Sequence, residues 1–250
     1  LASMGSLGAI RSDLHESYDV RKEPLGNGGY STVHLAREKT PSDSTRIGIG
    51  VAVKIFLASS QGQAEDVSAL VASEAEILLA AQKHPNIIGF HGIFSFIEGS
   101  TTRWALNLEW CPGGDLHDQL TAGGPCSEGQ GAEILFGVLS GLTHMHARDL
   151  IHRDVKAENV LIMECGRPVL SDFGIASKLS DNVAMRKLCG SPGYVAPEVL
   201  EEKGYCTKAD VFSTGVLLHF VLSGTLPFAG PNISSILRRT IRCRLKFESS

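Results

Sequence analysis

Between Ile151 and Leu161 the chain reads Ile-His-Arg-Asp-Val-Lys-Ala-Glu-Asn-Val-Leu, with six polar or charged side chains set between β-forming ends. A core strand cannot absorb that many charges. A loop held by a rigid scaffold can, and such loops are where chemistry collects. The competing reading is a solvated surface turn that happens to be charged, and the rest of the chain decides between the two. Asp172-Phe173-Gly174 comes directly after Val169-Leu170-Ser171, again at a strand end. An Asp and an Asn-bearing loop on adjacent strand ends, Asp172 and Asn159 here, offer a few hard oxygen ligands. Those suit Mg²⁺ that also binds substrate phosphates.

Two further groups point the same way. Leu25-Gly26-Asn27-Gly28-Gly29-Tyr30-Ser31-Thr32-Val33 is a glycine-rich turn between two strand-like stretches. Glycine lets backbone N–H groups approach phosphate oxygens with no Cβ in the way. An ordinary hairpin turn is the commoner cause of such a pattern. The stretch after the turn is strand and not helix, which excludes a dinucleotide-binding fingerprint and a Walker A loop. Val51-Ala52-Val53-Lys54 places an ammonium on a buried strand, where a lysine often only snorkels from an edge. Glu74 falls on the apolar stripe of the next helix, and an acid there is costly without a cation. One pairing, Lys54 with Glu74, satisfies both.

These residues need elements to position them. Residues up to about Ser17 are small and polar and read as a weakly ordered arm. Tyr18 to Arg37 alternates as a β-hairpin. Thr40 to Gly50 is a turn-rich insertion and Ser59 to Gln63 a second loop, with a strand, residues 51–56, between them. Gln63 to Lys83 has helical periodicity through Val67, Leu70, Val71, Ile77, Leu78 and Ala81. A second hairpin spans Ile93–Ile97 and Arg103–Leu108. Pro112-Gly113-Gly114 breaks the pattern, after which helices dominate. Glu128 to Met145 carries Ile134, Val138, Leu142 and Met145 on one face. Ser177 to Ser191 is a long polar segment, and Lys208 to Leu222 is apolar nearly all round, hence a buried helix. The order is strands with one helix, a break near 109–114, then mostly helices, which makes an α+β chain in two lobes.

Composition narrows the function classes. The 250 residues are 43% hydrophobic and 20% charged, which is globular and not disordered. Net charge is −4 without a Lys/Arg run, so nothing points to nucleic acid or an anionic membrane surface. No apolar stretch reaches a membrane span. The six cysteines (111, 126, 165, 189, 206 and 243) lack C-x-x-C pairing or histidines at metal spacing, and suit free thiols in the cytosol or nucleus.

In order, the motifs are G-N-G-G-Y-S-T-V, V-A-V-K, H-R-D-V-K-A-E-N, D-F-G and Ala196-Pro197-Glu198. Together they resemble the catalytic domain of a eukaryotic-type protein kinase over about residues 17–250. The resemblance implies a small β-rich N-lobe over 17–110 behind a flexible extension of residues 1–16, and a mainly helical C-lobe over 111–250. It implies ATP and Mg²⁺ as cofactors and Ser/Thr hydroxyls of proteins as acceptors. Lys54 would hold the α- and β-phosphates and pair with Glu74. Asp154 would take or orient the hydroxyl proton, Lys156 would lie near the transferred group, and Asn159 and Asp172 would bind Mg²⁺. Gly26 and Gly28 would cover the phosphates. Leu25, Val33, Ala52 and Leu161 match the adenine-sandwiching positions, Leu108 the gatekeeper, Glu109 and Cys111 the hinge, and Asp115 the ribose contact. Lys156 and Gly190-Ser191-Pro192-Gly193-Tyr194-Val195 resemble Ser/Thr kinases, closest in look to the calcium/calmodulin-dependent group, as does His84-Pro85-Asn86-Ile87-Ile88. Two other readings stand beside an active Ser/Thr kinase: a pseudokinase scaffold that binds ATP, and a small-molecule kinase of the same fold.

The sequence departs from that family in three places. Ser31 stands where the third glycine of the G-x-G-x-x-G pattern is usual. Lys187 stands where many kinases carry an activating phospho-Thr facing the Arg before the catalytic Asp, here Arg153. A cation cannot imitate a phosphate, so activation is expected not to run through position 187. The chain stops soon after a helix at about Ser234 to Arg242, before the family's Arg partner for Glu198. An incomplete C-lobe, with regulatory segments outside this chain, is therefore expected, which the downstream sequence would test directly. Asp115 and Glu158 match positions that read an Arg upstream of the target residue in basophilic kinases.

Overall fold

The computed structural model describes residues 10–39, 50–57 and 67–245. The chain divides into two compact units, Leu1–Gln82 with Ile88–Cys111, and Lys83–Ile87 with Pro112–Ser250. The insertion expected at 40–50, except Gly50, lies outside the described residues, as do the loop at 59–63 and the first turn of the expected helix at 63–66.

The first unit is a five-stranded antiparallel sheet with strands β1 (Tyr18–Asn27), β2 (Ser31–Glu38), β3 (Gly50–Phe56), β4 (Phe90–Glu98) and β5 (Thr101–Glu109) in the order β1-β2-β3-β5-β4. Alternation along β3 decides what each face does. Val51, Val53 and Ile55 point to one face, where Ala36, Phe94, Phe96 and Ala105 complete a core. Ala52 and Lys54 point to the other, opposite Leu108 and Leu106 of β5. Helix α2 (Val67–Ala81) buries Val71, Glu74, Ala75, Ile77 and Leu78. Leu70, placed on the apolar stripe by spacing, is 39% exposed instead.

Of the arm expected over residues 1–16, residues 10–16 are described. Arg11 pairs with Phe94 of β4, and helix α1 (Leu14–Ser17) comes next. Leu14 is wholly buried in the core beside Val51 and Val53, a burial worth about 2 kcal/mol. The Arg11 guanidinium and the Ser17 hydroxyl both bond Asp13, and Arg11 lies over the Phe94 ring at 4.9 Å. A single leucine among polar residues gives no periodicity, so the sequence pattern conceals this anchor.

In the second unit, α3 (Leu116–Gly123), α4 (Glu128–His146), α5 (Pro197–Leu200), α6 (Lys208–Ser223) and α7 (Ile233–Arg242) accompany the short strands β6 (Leu150–Ile151), β7 (Val160–Ile162), β8 (Pro168–Leu170) and β9 (Ser177–Lys178). A capping box opens α4: Ser127 accepts from the Gln130 N–H while the Gln130 side chain accepts from the Ser127 N–H. Its buried face runs through Leu135, Val138, Leu142 and Met145, with Leu135 in the place expected for Ile134. The polar segment after Ser177 holds β9 and a 3₁₀ turn, Ala184–Arg186, that buries Ala184 and Met185. Helix α6 is not apolar all round in its environment. Val211, Leu218 and Leu222 are exposed, and its buried side includes Asp210, Ser213 and Thr214. Among the described residues no helix is long and apolar enough to cross a membrane, and all six cysteines are free.

Lys83–Ile87 joins this second unit through hydrogen bonds that local sequence does not announce. Asn86 donates its side-chain N–H to Pro168 O at 2.7 Å and accepts the Leu170 N–H on its carbonyl at 2.9 Å. Gly137 and Gly141 of α4 allow that approach, since a Cβ at Gly141 would stand 2.9 Å from Asn86 O. Next to it, His84 accepts the Asn86 N–H on Nδ1 at 3.2 Å and meets the Ser140 hydroxyl through Nε2 at 3.2 Å. Burial first, then the neighbouring His144 ring and Arg148, hold its pKa below the ordinary 6.5. The folded chain therefore binds fewer protons here than the unfolded chain once pH falls toward that value. The His84 contribution to stability is complete at neutral pH and is lost as pH falls through the mid-6 range and below. Thermal melts between about pH 7.5 and 5.5 are expected to show a falling Tm, with a smaller fall for His84→Asn. Equal falls in both proteins would overturn this assignment.

Candidate active site

The first unit builds one half of the expected constellation from strand register. Val33 of β2 sits opposite Lys54, and Ala52 sits opposite Leu108, so four expected residues share one sheet face. Gly26 pairs with Val33 across the hairpin, and the Gly28 N–H closes the turn on Ser31 O at 2.8 Å. Leu25 is 55% exposed. Lys54 Nζ reaches both carboxylate oxygens of Glu74, at 2.7 and 2.9 Å, with both residues buried. Removing one partner of such a pair leaves a desolvated charge and costs about 3–5 kcal/mol. The pair therefore fixes α2 against β3 as well as the ammonium. Glu109 gives its N–H to Gly89 O at 2.7 Å, and its carboxylate accepts the Gly89 N–H at 3.2 Å. Cys111 is buried.

In the second unit the loop from β6 to β7 gathers its charges around Asp154. Lys156 Nζ lies 2.8 Å from Asp154 Oδ2. Asn159 donates Nδ2–H to Asp154 O at 2.8 Å and to Asp154 Oδ2 at 3.0 Å. The Ser191 hydroxyl donates to Asp154 Oδ1 and accepts from Lys156 Nζ, both at 2.8 Å. Sequence alone does not assign Ser191 to this cluster, because nothing local ties it to a loop 35 residues away.

Strands β7 and β8 bring the backbones that carry Asn159 and Asp172 alongside each other. Val160 pairs with Leu170, and Ser171 sends both its N–H and its hydroxyl to Asn159 O, at 2.9 and 3.0 Å. The side-chain amide of Asn159 commits its N–H groups to Asp154. That amide oxygen and the Asp172 carboxylate are hard donors that fit Mg²⁺. Asp172 holds a positive φ of 57°. Asp115 and Leu161 also meet, in a β-bridge. Asp115 Oδ1 caps α3 by accepting the Asp118 N–H at 2.8 Å, so one oxygen is committed to the helix.

The residue that shapes this loop is Asp210 of α6, a helix that reads from sequence as apolar nearly all round. Its side chain is 1% exposed. Oδ1 accepts the Arg153 N–H at 2.8 Å, while Oδ2 accepts the His152 N–H at 2.9 Å and lies 2.8 Å from His146 Nε2. Arg153 stands at φ +69°, a conformation that costs a non-glycine residue on the order of 1–3 kcal/mol and persists only when over-determined. The two N–H bonds to Asp210 fix the peptide before the Arg153 Cα, and the side-chain bonds to Ile175 O and Ala184 O hold what lies beyond it. His152 is also fully buried and reaches Ser171 O at 3.0 Å, so one imidazole ties the Asp154 loop to the strand end that carries Asp172. A lone Asp facing into an apolar helix is the only signal of this role in the sequence, parallel to that of Glu74.

Residues 20–249 match the family model described as protein kinase domain. The chain is 33% identical over 242 residues to calcium-dependent protein kinase 5 of Plasmodium berghei (strain Anka), covering 95% of this chain and 40% of that protein. It is 34% identical over 233 residues to calcium/calmodulin-dependent protein kinase type 1 of Macrobrachium nipponense, covering 92% and 64%. CBL-interacting protein kinase 11 of Oryza sativa subsp. japonica is 33% identical over 243 residues, covering 95% and 45%. The chain thus spans less than two thirds of the length of each of these relatives.

Replacing Asp210 by Asn offers one acceptor atom where three donors converge. Urea unfolding of Asp210→Asn is expected to show a loss of about 2–3 kcal/mol. A loss below about 0.5 kcal/mol, the scale of an ordinary surface substitution, would overturn the role given to Asp210.

Proposed function

The chain belongs to the protein kinase family, and on that footing we propose that it transfers the γ-phosphoryl group of ATP to serine and threonine hydroxyls of proteins. The observation that carries this reading is the Asp154 carboxylate, held on both oxygens by Lys156, Asn159 and Ser191. A carboxylate fixed to within a hydrogen bond's tolerance can orient an incoming hydroxyl and take its proton at a defined atom. Lys156 stands beside it to meet the charge on the transferred group, and its position two residues after Asp154 supports the Ser/Thr assignment.

Phosphoryl transfer asks for positioning and charge stabilisation more than for covalent help. Lys54, pinned by Glu74, supplies a fixed ammonium for the α- and β-phosphates. The family uses ATP and Mg²⁺, and Mg²⁺ when bound neutralises phosphate oxygens; Asn159 and Asp172 are the residues that would hold it. Leu25, Val33, Ala52 and Leu161 match the family's adenine-facing positions, and Leu108, opposite Ala52 in the sheet, matches its gatekeeper. By the family's pattern the Glu109 carbonyl and the Cys111 backbone would meet the adenine edge, with the Glu109 N–H given to Gly89. Asp115 keeps one carboxylate oxygen for ribose after capping α3. For protein substrates, the exposed Glu158 carboxylate favours an Arg upstream of the target residue.

Radiolabelled phosphate transfer from Mg-ATP to a generic basic protein tests the reading. The full chain is expected to label the protein, and Asp154→Asn to lower the rate by about 10²–10⁴-fold. In a peptide array, upstream Arg is expected to be preferred. Labelling unchanged by Asp154→Asn would overturn the assignment of Asp154, and no labelling by the unaltered chain would favour a nucleotide-binding scaffold.

A further inference from the structure

Arg153 is the residue that many kinases use to receive an activating phosphate, and Lys187 leaves no hydroxyl at the facing position. Its guanidinium is nevertheless engaged through two nitrogens. Nε donates to Ile175 O at 2.6 Å, and Nη1 donates to Ala184 O at 2.8 Å and to the Tyr205 hydroxyl at 3.1 Å. Tyr205 lies between α5 and α6, and its ring is buried. Its hydroxyl lies 3.0 Å from Ala184 O and 3.0 Å from Lys187 O, two acceptors for its single hydrogen. The Tyr205 N–H also donates to Met185 O at 3.2 Å. One side chain thus accepts from the arginine next to Asp154 and donates to the Ala184–Lys187 backbone.

The segment is clamped from its other end by Asp181. Its Oδ1 accepts the N–H groups of Val183 and Ala184, each at 3.0 Å, which caps the 3₁₀ turn presenting Ala184 O to Arg153. The Ala184 N–H above all, then that of Val183, with smaller contributions from Arg153 and Lys187, holds the Asp181 carboxyl below its usual pKa range. Burial is the main reason the Tyr205 phenol is pushed up to about 12, so it stays neutral and keeps its hydrogen at physiological pH.

We propose that Tyr205 is a positioning residue that replaces the activating phosphate: its hydroxyl joins Arg153 to the backbone of Ala184–Lys187 and locks this segment beside Asp154 without modification. The proposal rests on the kinase reading for its catalytic consequence, but the lock itself is a statement about hydrogen bonds within the second unit. A neutral hydroxyl makes a weaker bond to a guanidinium than a charged oxygen does. The lock is therefore partial, and an anion at position 187 is able to take its place.

Tyr205→Phe removes one oxygen and keeps the buried ring. It is expected to lower kcat about ten-fold while leaving the KM for ATP unchanged. Adding Lys187→Glu to that variant is expected to recover most of the loss, and to do little in the unaltered chain. Hydrogen–deuterium exchange supplies a readout that does not depend on activity. Amides of residues 179–187 are expected to exchange about ten-fold faster in Tyr205→Phe, with α4 and α6 unchanged. An unchanged kcat, a double variant no better than the single, or unchanged exchange over 179–187 would each overturn the lock. Faster exchange throughout α4 and α6 would mark general loosening and would overturn it as well. Should the unaltered chain transfer no phosphate, the kinase reading fails and exchange alone decides the lock.

Discussion

A buried carboxylate satisfied chiefly by backbone N–H groups is the constraint on which the site depends. Asp210 has been taken out of water, at a cost of several kcal/mol that only complete hydrogen bonding offsets. Its donors are two consecutive peptide N–H groups, those of His152 and Arg153, together with His146. The two N–H bonds fix the peptide that leads into Arg153, whose own φ is positive. The next residue is Asp154. The helix that carries Asp210 therefore holds the two residues that lead into Asp154.

From that point the loop propagates order in two directions. Forward, Asp154 collects Lys156, Asn159 and Ser191, and Asn159 O receives both donors of Ser171. A shift of either strand end would break several bonds at once. Backward, the Arg153 side chain reaches Ile175 and Ala184. The same residue thus reports, through its main chain and its side chain, on two segments that are distant in sequence. Hydrogen-bond networks of this kind hold well when every member is satisfied and poorly when one is missing.

Legibility in the sequence has the same physical basis. Lys54 and Glu74 are readable because an acid on an apolar stripe demands a cation, and the neighbouring strand holds one. The β6–β7 loop is readable because charges do not belong between β-formers, and Asp172 because it closes a strand at a short distance behind Asn159. Asp210 poses the demand of Glu74, but its partners are mostly backbone N–H groups, which carry no letter in the sequence. Ser191 and Tyr205 are hidden for a related reason, since their roles rest on long separations, 35 and 52 residues, and in the case of Tyr205 on backbone carbonyls. The boundary of the first unit is illegible at Lys83–Ile87, where Asn86 bonds Pro168 O and the Leu170 N–H. Helix α6 looks uniformly apolar because hydropathy counts residues and not the side on which they fall.

The segment around Leu14 has a consequence of another kind. Strand β4 closes one side of the five-stranded sheet, and Arg11 gives it an N–H and a carbonyl, bonding Ile93 O and the Ser95 N–H. A sheet border with open donors and acceptors invites another chain to add to it, and apolar side chains beneath make the added strand stick. Arg11 occupies two of those positions while Leu14 covers the apolar floor formed by Val51, Val53 and Phe94. Residues 11–17, which look like a dispensable leader to the first strand, thus cover a stretch of border of the kind that invites pairing. A version trimmed to begin at Tyr18 would keep every candidate site residue and leave those two β4 positions and the apolar floor uncovered.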